Sequence, residues 1–286
     1  MLIKRILIVF FRDKSNVLFS LLSVFIVIGL YILFLGRNME NALSAQLGIE
    51  SNLIGVVVSG IMLGGMVAVT SASSCMGAMG LSIADRDRAA KDFLTSPIAR
   101  RKITLGYVFG SSIIGFVMSM AALVLCVVYI ASRGGGIPDI TTLSMLVLTT
   151  ILSVLCANSM VFLLTSLAKS REAFSALSAV IGTLIGFLMG VFIPIGQMPE
   201  SVQWVIRIFP MSHAASMYRQ LLADYELSNL FAAAPAEALD EIREFFGVVF
   251  VFGDFTSSFW MSALWLMVST LVFFAVSVVV TARRRG

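Results

Sequence analysis

A chain of 286 residues that is 59% apolar and 13% charged, with mean hydropathy +0.99, carries more apolar surface than a soluble core can hide. The apolar residues come in long charge-free blocks, which excludes a soluble globular enzyme and leaves no basic soluble domain to bind nucleic acid, so the net charge of +4 is read by position. Cys75, Cys126 and Cys156 all fall inside these blocks as small buried hydrophobes, implying neither a disulfide nor a metal site.

Along residues 1–14, at about 100° per residue, Lys4, Arg5 and Arg12 share one arc while Leu2, Ile3, Ile6, Leu7, Val9 and Phe10 fill most of the rest. This pattern predicts an amphipathic helix lying flat in the inner interface. The rival is a cleaved signal peptide, but Lys14 interrupts the apolar stretch and no A-x-A site follows Leu35. Six spans are predicted at 17–35, 52–83, 103–131, 140–168, 173–193 and 259–281, each near or above the roughly 20 residues needed to cross. Of the 20 basic residues, all but Arg37, Arg133, Arg207, Arg219 and Arg243 fall at the two termini and in the loops after spans two and four. The positive-inside rule then places a multi-pass protein in the cell membrane with both termini cytoplasmic. The outer loop 36–51 carries no interpretable motif.

Span two holds Gly55, Gly60, Gly64 and Gly65, then Thr70, Ser71, Ser73 and Ser74. Small residues in membrane helices mostly pack, and hydroxyls commonly bond their own helix backbone. The alternative is that Thr70, Ser71 and Ser74, with Asn158 and Ser159 of span four, line a translocation route; an amide that deep needs a partner. No span contains Asp, Glu, Lys, Arg or His, the groups that ion-coupled carriers embed at mid-membrane. An uncharged route suits apolar or amphiphilic cargo. No G-x-x-x-x-G-K-[ST] occurs, so a nucleotide-driven motor is a separate polypeptide.

The loop 84–102 reads A-D-R-D-R-A-A-K-D-F-L-T-S-P-I-A-R-R-K. Asp87 with Lys91 and Arg88 with Asp92 are opposite charges four apart, followed by Phe93, Leu94 and Ile98 around Pro97. A short charged helix with an apolar end is predicted. It is either a solvated positive-inside loop or, given the exposed Phe-Leu, a protein contact.

Span five repeats Ser178, Gly182, Gly186 and Gly190 on one helix face, which predicts a packing seam. Pro194 and Pro199 flank Gly196 and break the helix. From Pro199, placed as a first helical residue, to Phe209 a short apolar helix carries Trp204; after Pro210 a second runs from Met211 towards Tyr218. Both are too short to span, so 194–223 is predicted as a re-entrant hairpin covering the outer end. His213, without metal partners or a nucleophile to serve, reads as an interfacial side chain. In the outer segment 224–254, Pro235 opens a helix with Leu239, Ile242, Phe245 and Phe246 on one side, a cap over the outer surface. Span six returns through Trp260 and Trp265 to Arg283, Arg284 and Arg285.

Two stretches give this all-α polytopic chain a family likeness. D-R-D-R-A-A-K-D-F-L-T-S-P-I-A-R-R-K resembles the inner loop of permease subunits of type-2 ATP-binding-cassette exporters, and F-I-P-I-G-Q-M-P-E-S-V-Q-W-V-I-R-I-F-P-M-S-H-A is similar to their outer hairpin. The resemblance implies that Asp85, Arg86, Asp87, Arg88, Lys91, Asp92, Phe93 and Leu94 form a coupling helix on a cytoplasmic ATPase subunit, beside the 1–14 helix. It implies two permeases, copies of this chain or homologues, paired in membrane lipid along Ser178, Gly182, Gly186 and Gly190. Pro194, Pro199, Trp204, Phe209, Pro210 and His213 would belong to the outer gate. ATP and Mg would be bound by the partner and no cofactor or nucleic acid by this chain. An ion-coupled carrier and a membrane-embedded lipid-processing enzyme stay as alternatives. The enzyme would need clustered carboxylates, histidines or a serine with its base near an interface, and the sequence offers none.

Overall fold

The computed structural model describes residues 2–15, 17–18, 22, 25–26, 29, 31–47, 52–88, 100–168, 170–232, 236–253 and 255–283. These fold into eleven α-helices, a π turn at Tyr31–Leu35, a 3₁₀ turn at Ile195–Gln197 and one antiparallel pair of two-residue strands, β1 (Val251–Phe252) and β2 (Phe255–Thr256). Among the described residues five helices are long and apolar enough to cross a membrane, so the chain is an all-α polytopic membrane protein. Of the predicted first span only scattered residues and the π turn are described.

The first helix, α1 (Leu2–Arg12), buries Ile6 and Phe10 and leaves Ile8, Val9 and Phe11 exposed. It packs on α4 (Arg100–Ser132) where that helix lacks side chains: a Cβ at Gly106 would stand 2.4 Å from Leu2, and one at Gly110 3.0 Å from Ile6. Between them in sequence, α2 (Gly36–Leu47) occupies the stretch that carried no motif.

The axis of the bundle is α3 (Asn52–Arg88), 37 residues long and buried over most of its length. It packs against α4, α5 (Ile140–Leu167), α6 (Arg171–Leu188) and, among the shorter helices, α8 (Pro210–Leu222). Being surrounded by protein on all sides explains why α3 shows no apolar stripe of its own. The last spanning helix, α11 (Phe259–Arg283), lies on α5 and α8 and exposes Leu264, Val268 and Leu271.

Helix ends follow local chemistry. Asp139 accepts the Thr142 amide at the start of α5, and Ser170 accepts that of Ala173 at the start of α6. α6 ends at Leu188, before the predicted 193, because Gly190 takes a positive φ of 62°. The Gly190 N–H bonds Phe187 O at 2.9 Å and the Val191 N–H bonds Gly186 O at 3.0 Å, the paired bonds of a glycine-terminated helix. Pro194 lies beyond that stop.

At the opposite end from α1, the hairpin is α7 (Glu200–Ile208) and α8. Pro199 precedes α7 as its cap and Pro210 opens α8. α8 begins one residue earlier and runs four residues further than predicted, burying every residue from Met211 to Arg219. Beyond it, α9 (Asp224–Leu230) and α10 (Ala236–Phe245) bury Leu227 and Ile242, with Phe231 and Phe246 just past their ends, against Tyr31, Leu43 and Ile54. This is a cap over the α2–α3 corner.

Candidate functional site

At the α1 end, the predicted coupling segment begins as an extension of α3: Asp85, Arg86, Asp87 and Arg88 are its last residues. Lys91, Asp92, Phe93 and Leu94 lie outside the described residues. What is described is a latch the sequence gave no sign of, because its members are far apart in the chain. Arg5 donates two hydrogen bonds to Asp85, at 2.8 and 3.3 Å, and the Tyr107 hydroxyl donates a third. The Asp85 bond holds the Arg5 guanidinium above its ordinary pKa. α1, the end of α3 and the start of α4 thus share one carboxylate.

In the middle of the bundle the candidate route residues are all buried. Thr70 donates to Met66 O at 2.9 Å, Ser159 to Cys156 O at 2.9 Å, and Ser71 to Val67 O at 3.1 Å with Ser119 Oγ 2.9 Å away. Ser74 Oγ is buried with no partner among the described residues. Asn158 finds the partner its depth demands: its amide donates to Val108 O at 2.8 Å and Ser112 Oγ at 2.7 Å, and accepts from Ser111 at 2.6 Å. These groups join α3, α4 and α5 within the protomer.

The four members of the repeat expected as a seam meet four different surroundings. Gly182 meets nothing within 4 Å among the described residues, a Cβ at Gly186 would strike the Phe192 ring, and Gly190 is off the helix. Ser178 Oγ is buried without a described partner. The closest backbone approach is made by α3 instead. A Cβ at Gly60 would lie 2.6 Å from Leu222 O, and one at Gly64 3.1 Å from the Arg219 nitrogen, so α8 rests directly on the α3 backbone.

That contact delivers Arg219 to the interior. Its sequence position among the outer-side basic residues suggests solvent, yet it is fully buried. Nε donates to Ile61 O at 3.0 Å, Nη1 to Gly247 O at 3.3 Å, and Nη2 to Gly190 O at 3.0 Å and to Met189 O. One guanidinium therefore ties α8 to α3, to the end of α6 and to the turn after α10. The sequence signal was the small-residue run Ala214, Ala215 and Ser216 just before it, which marks a buried helix. No acidic neighbour pointed to a partner, because the partners are carbonyls.

His213 is also interior, 1% exposed, which corrects the expectation of an interfacial side chain. A carbonyl only accepts, so Nε2 donates to Arg207 O at 2.8 Å, and Nδ1 accepts from Ser262 Oγ at 3.1 Å. It joins the end of α7 to α11 and packs on Phe250 and Trp265. Trp204 is exposed on α7, with the Arg207 guanidinium 5.3 Å from its ring. Phe209 is half-buried, Pro194 buried and Pro199 exposed, so the hairpin has one face on the bundle and one away from it.

A comparison with curated proteins returned no match. A comparison with protein-family models matched ABC-2 type transporter over residues 1–223. Four of the five candidate spanning helices, the first helix α1 and the α7–α8 hairpin fall within that range. The chain accordingly belongs to the ABC-2 type transporter family, as a multi-pass membrane permease component of an ABC transporter.

Proposed function

We propose that this permease exports a hydrophobic or amphiphilic compound from the cytoplasm or inner leaflet, driven by a separate cytoplasmic ABC ATPase that binds ATP and Mg. Both termini are cytoplasmic. Two permeases, this chain with its copy or with a homologue, enclose the route, and the 85–94 segment seats on the ATPase. The observation that carries this reading is the continuity of α3, whose 37 residues, about 55 Å at about 1.5 Å each, run from that segment to the glycines under α8. A tilt imposed at the latched α1 end reaches the hairpin through one rigid element. The absence of acidic, basic or histidine residues from the predicted spans favours ATP over an ion gradient as the source of energy.

The test is replacement of Phe93 and Leu94 by aspartate. The ATPase is expected to dissociate from the purified complex and its stimulation by the permease to vanish. Unchanged complex and unchanged stimulation would remove the coupling assignment. Transport that follows an ion gradient with the ATPase absent would favour the secondary-carrier alternative.

A further inference from the structure

The hairpin end holds a cavity that none of the assignments above uses. Its volume is about 390 Å³, within the range of small-molecule sites, and it lies between α3, the end of α4, the 133–139 turn, the start of α5 and the α8–α9 junction. The turn is built to make it. Gly134 takes φ 93°, and a Cβ on Gly135 would stand 2.6 Å from the Ile130 side chain, so the chain folds flat onto the end of α4. This brings Asp139 and Thr142 opposite Tyr225 and Glu226 around one cavity.

The lining has two parts. One is apolar, with Val56, Val127 and Ile130 as walls, and its rim exposes large hydrophobes: Ile137 at 84%, the adjoining Ile140 at 79% and Tyr225 at 77%. The other is a pair of carboxylates with no basic side chain in the lining. Glu226 has no hydrogen bond or ion pair among the described residues, and Asp139 accepts from the Thr142 amide at 3.1 Å, a partner of its own helix start. Hydrogen bonds from the Thr142 side chain and amide hold Asp139 below the ordinary carboxylate pKa.

A second observation is independent of the cavity. Among the described residues of segments 36–47, 133–139 and 190–258 there are nine acidic side chains but only five basic ones. Four of those five basic residues are engaged: Arg133 by Glu40, Arg207 by Glu244, Arg243 by Asp224 and Asp240, and Arg219 by carbonyls. The hairpin end therefore carries a net negative field that concentrates cations. A partly apolar, partly open cavity at the ends of spanning helices α3, α4 and α5, within such a field, fits one chemistry.

We propose that this cavity binds a membrane-partitioned cationic amphiphile, its alkyl chain against Val56, Val127 and Ile130 and its amine or quaternary ammonium head at Asp139 and Glu226 beside the Tyr225 ring. Calling that compound the cargo, met at its exit, rests on the export reading above; the binding itself does not. The experiment uses the full chain in nanodiscs of zwitterionic lipid, without nucleotide or ATPase, with empty nanodiscs subtracted. Dodecyltrimethylammonium is expected to bind saturably and more weakly as salt rises, and dodecyl sulfate not to bind saturably. Asp139→Asn with Glu226→Gln keeps the helix cap, because asparagine also caps, and removes both charges. Its affinity is expected to fall about tenfold, at roughly two- to fivefold per partly exposed carboxylate. Tyr225→Ala, at an exposed position, is expected to weaken binding severalfold without altering the melting temperature. Wild-type affinity in the double variant, equal saturable binding of dodecyl sulfate, or no saturable binding by the wild type would overturn the proposal. Each of those results leaves the Phe93 and Leu94 test unaffected, so the two readings fail separately.

Discussion

Replacing Arg219 tests how the hairpin layer is held. The carbonyls of Met189, Gly190 and Gly247 accept from this guanidinium and from no other described backbone donor outside regular helices and strands. Arg219→Met leaves all three orphaned in the interior, at about 2 kcal/mol each, or about 6 kcal/mol together. Removing a buried, uncompensated cation returns part of this, of order 3 kcal/mol, so the net loss expected is about 3 kcal/mol. The loss is local. Hydrogen exchange at the Val191 and Val248 amides, which sit beside those carbonyls and bond Gly186 O and Arg243 O, is expected to accelerate about a hundredfold. Exchange along α1, at the far end of the bundle, is expected to stay as in the wild type. Arg219→Lys does not restore protection, because one ammonium cannot replace a planar fork serving three separate elements. Unchanged exchange at Val191 and Val248 in Arg219→Met would refute the reasoning, and full protection in Arg219→Lys would show that charge alone suffices.

The two glycine sets give opposite outcomes. Gly64→Leu drives a side chain into the α8 backbone, 3.1 Å away already at Cβ, and is expected to abolish monodisperse protein on size-exclusion chromatography. Gly182→Leu meets open space among the described residues and is expected to leave the protomer's melting temperature within about 1 °C of the wild type while weakening the proposed association of two permeases, read by crosslinking in membranes. Wild-type crosslinking in Gly182→Leu would remove Gly182 from the pairing face. At the α1 end, Asp85→Asn removes a carboxylate from a half-exposed bond to Arg5 and is expected to cost about 1 kcal/mol, with faster proteolysis after Arg5 and Arg12. An unchanged cleavage rate would mean that Leu2, Ile6 and Phe10 hold α1 without the latch.

How much of this was readable in the sequence depended on whether a feature is local. Charge-free blocks, the two-faced 1–14 stretch and the prolines that open α8 and precede α7 each act on their own few residues, and they gave the five described spanning helices, α1 and the hairpin. Gly60 with Gly64 and Gly182 with Gly186 carry the same four-residue signature, and no local property separates them. The difference is the partner: α8 covers the first pair, while Gly182 faces open space among the described residues. Gly190 repeats the same spacing yet ends α6 by its positive φ, a choice made by the chain that follows it. Arg219 escaped for a related reason, since a guanidinium satisfied by carbonyls leaves no acidic residue in the sequence to announce it. The consequence bears on mechanism. The hairpin is joined to α3 by backbone contact at Gly60 and Gly64 and by Arg219, and to α11 by His213. Movement at this end then shifts α3 and the hairpin together, which places the hinge of any gate outside the pair.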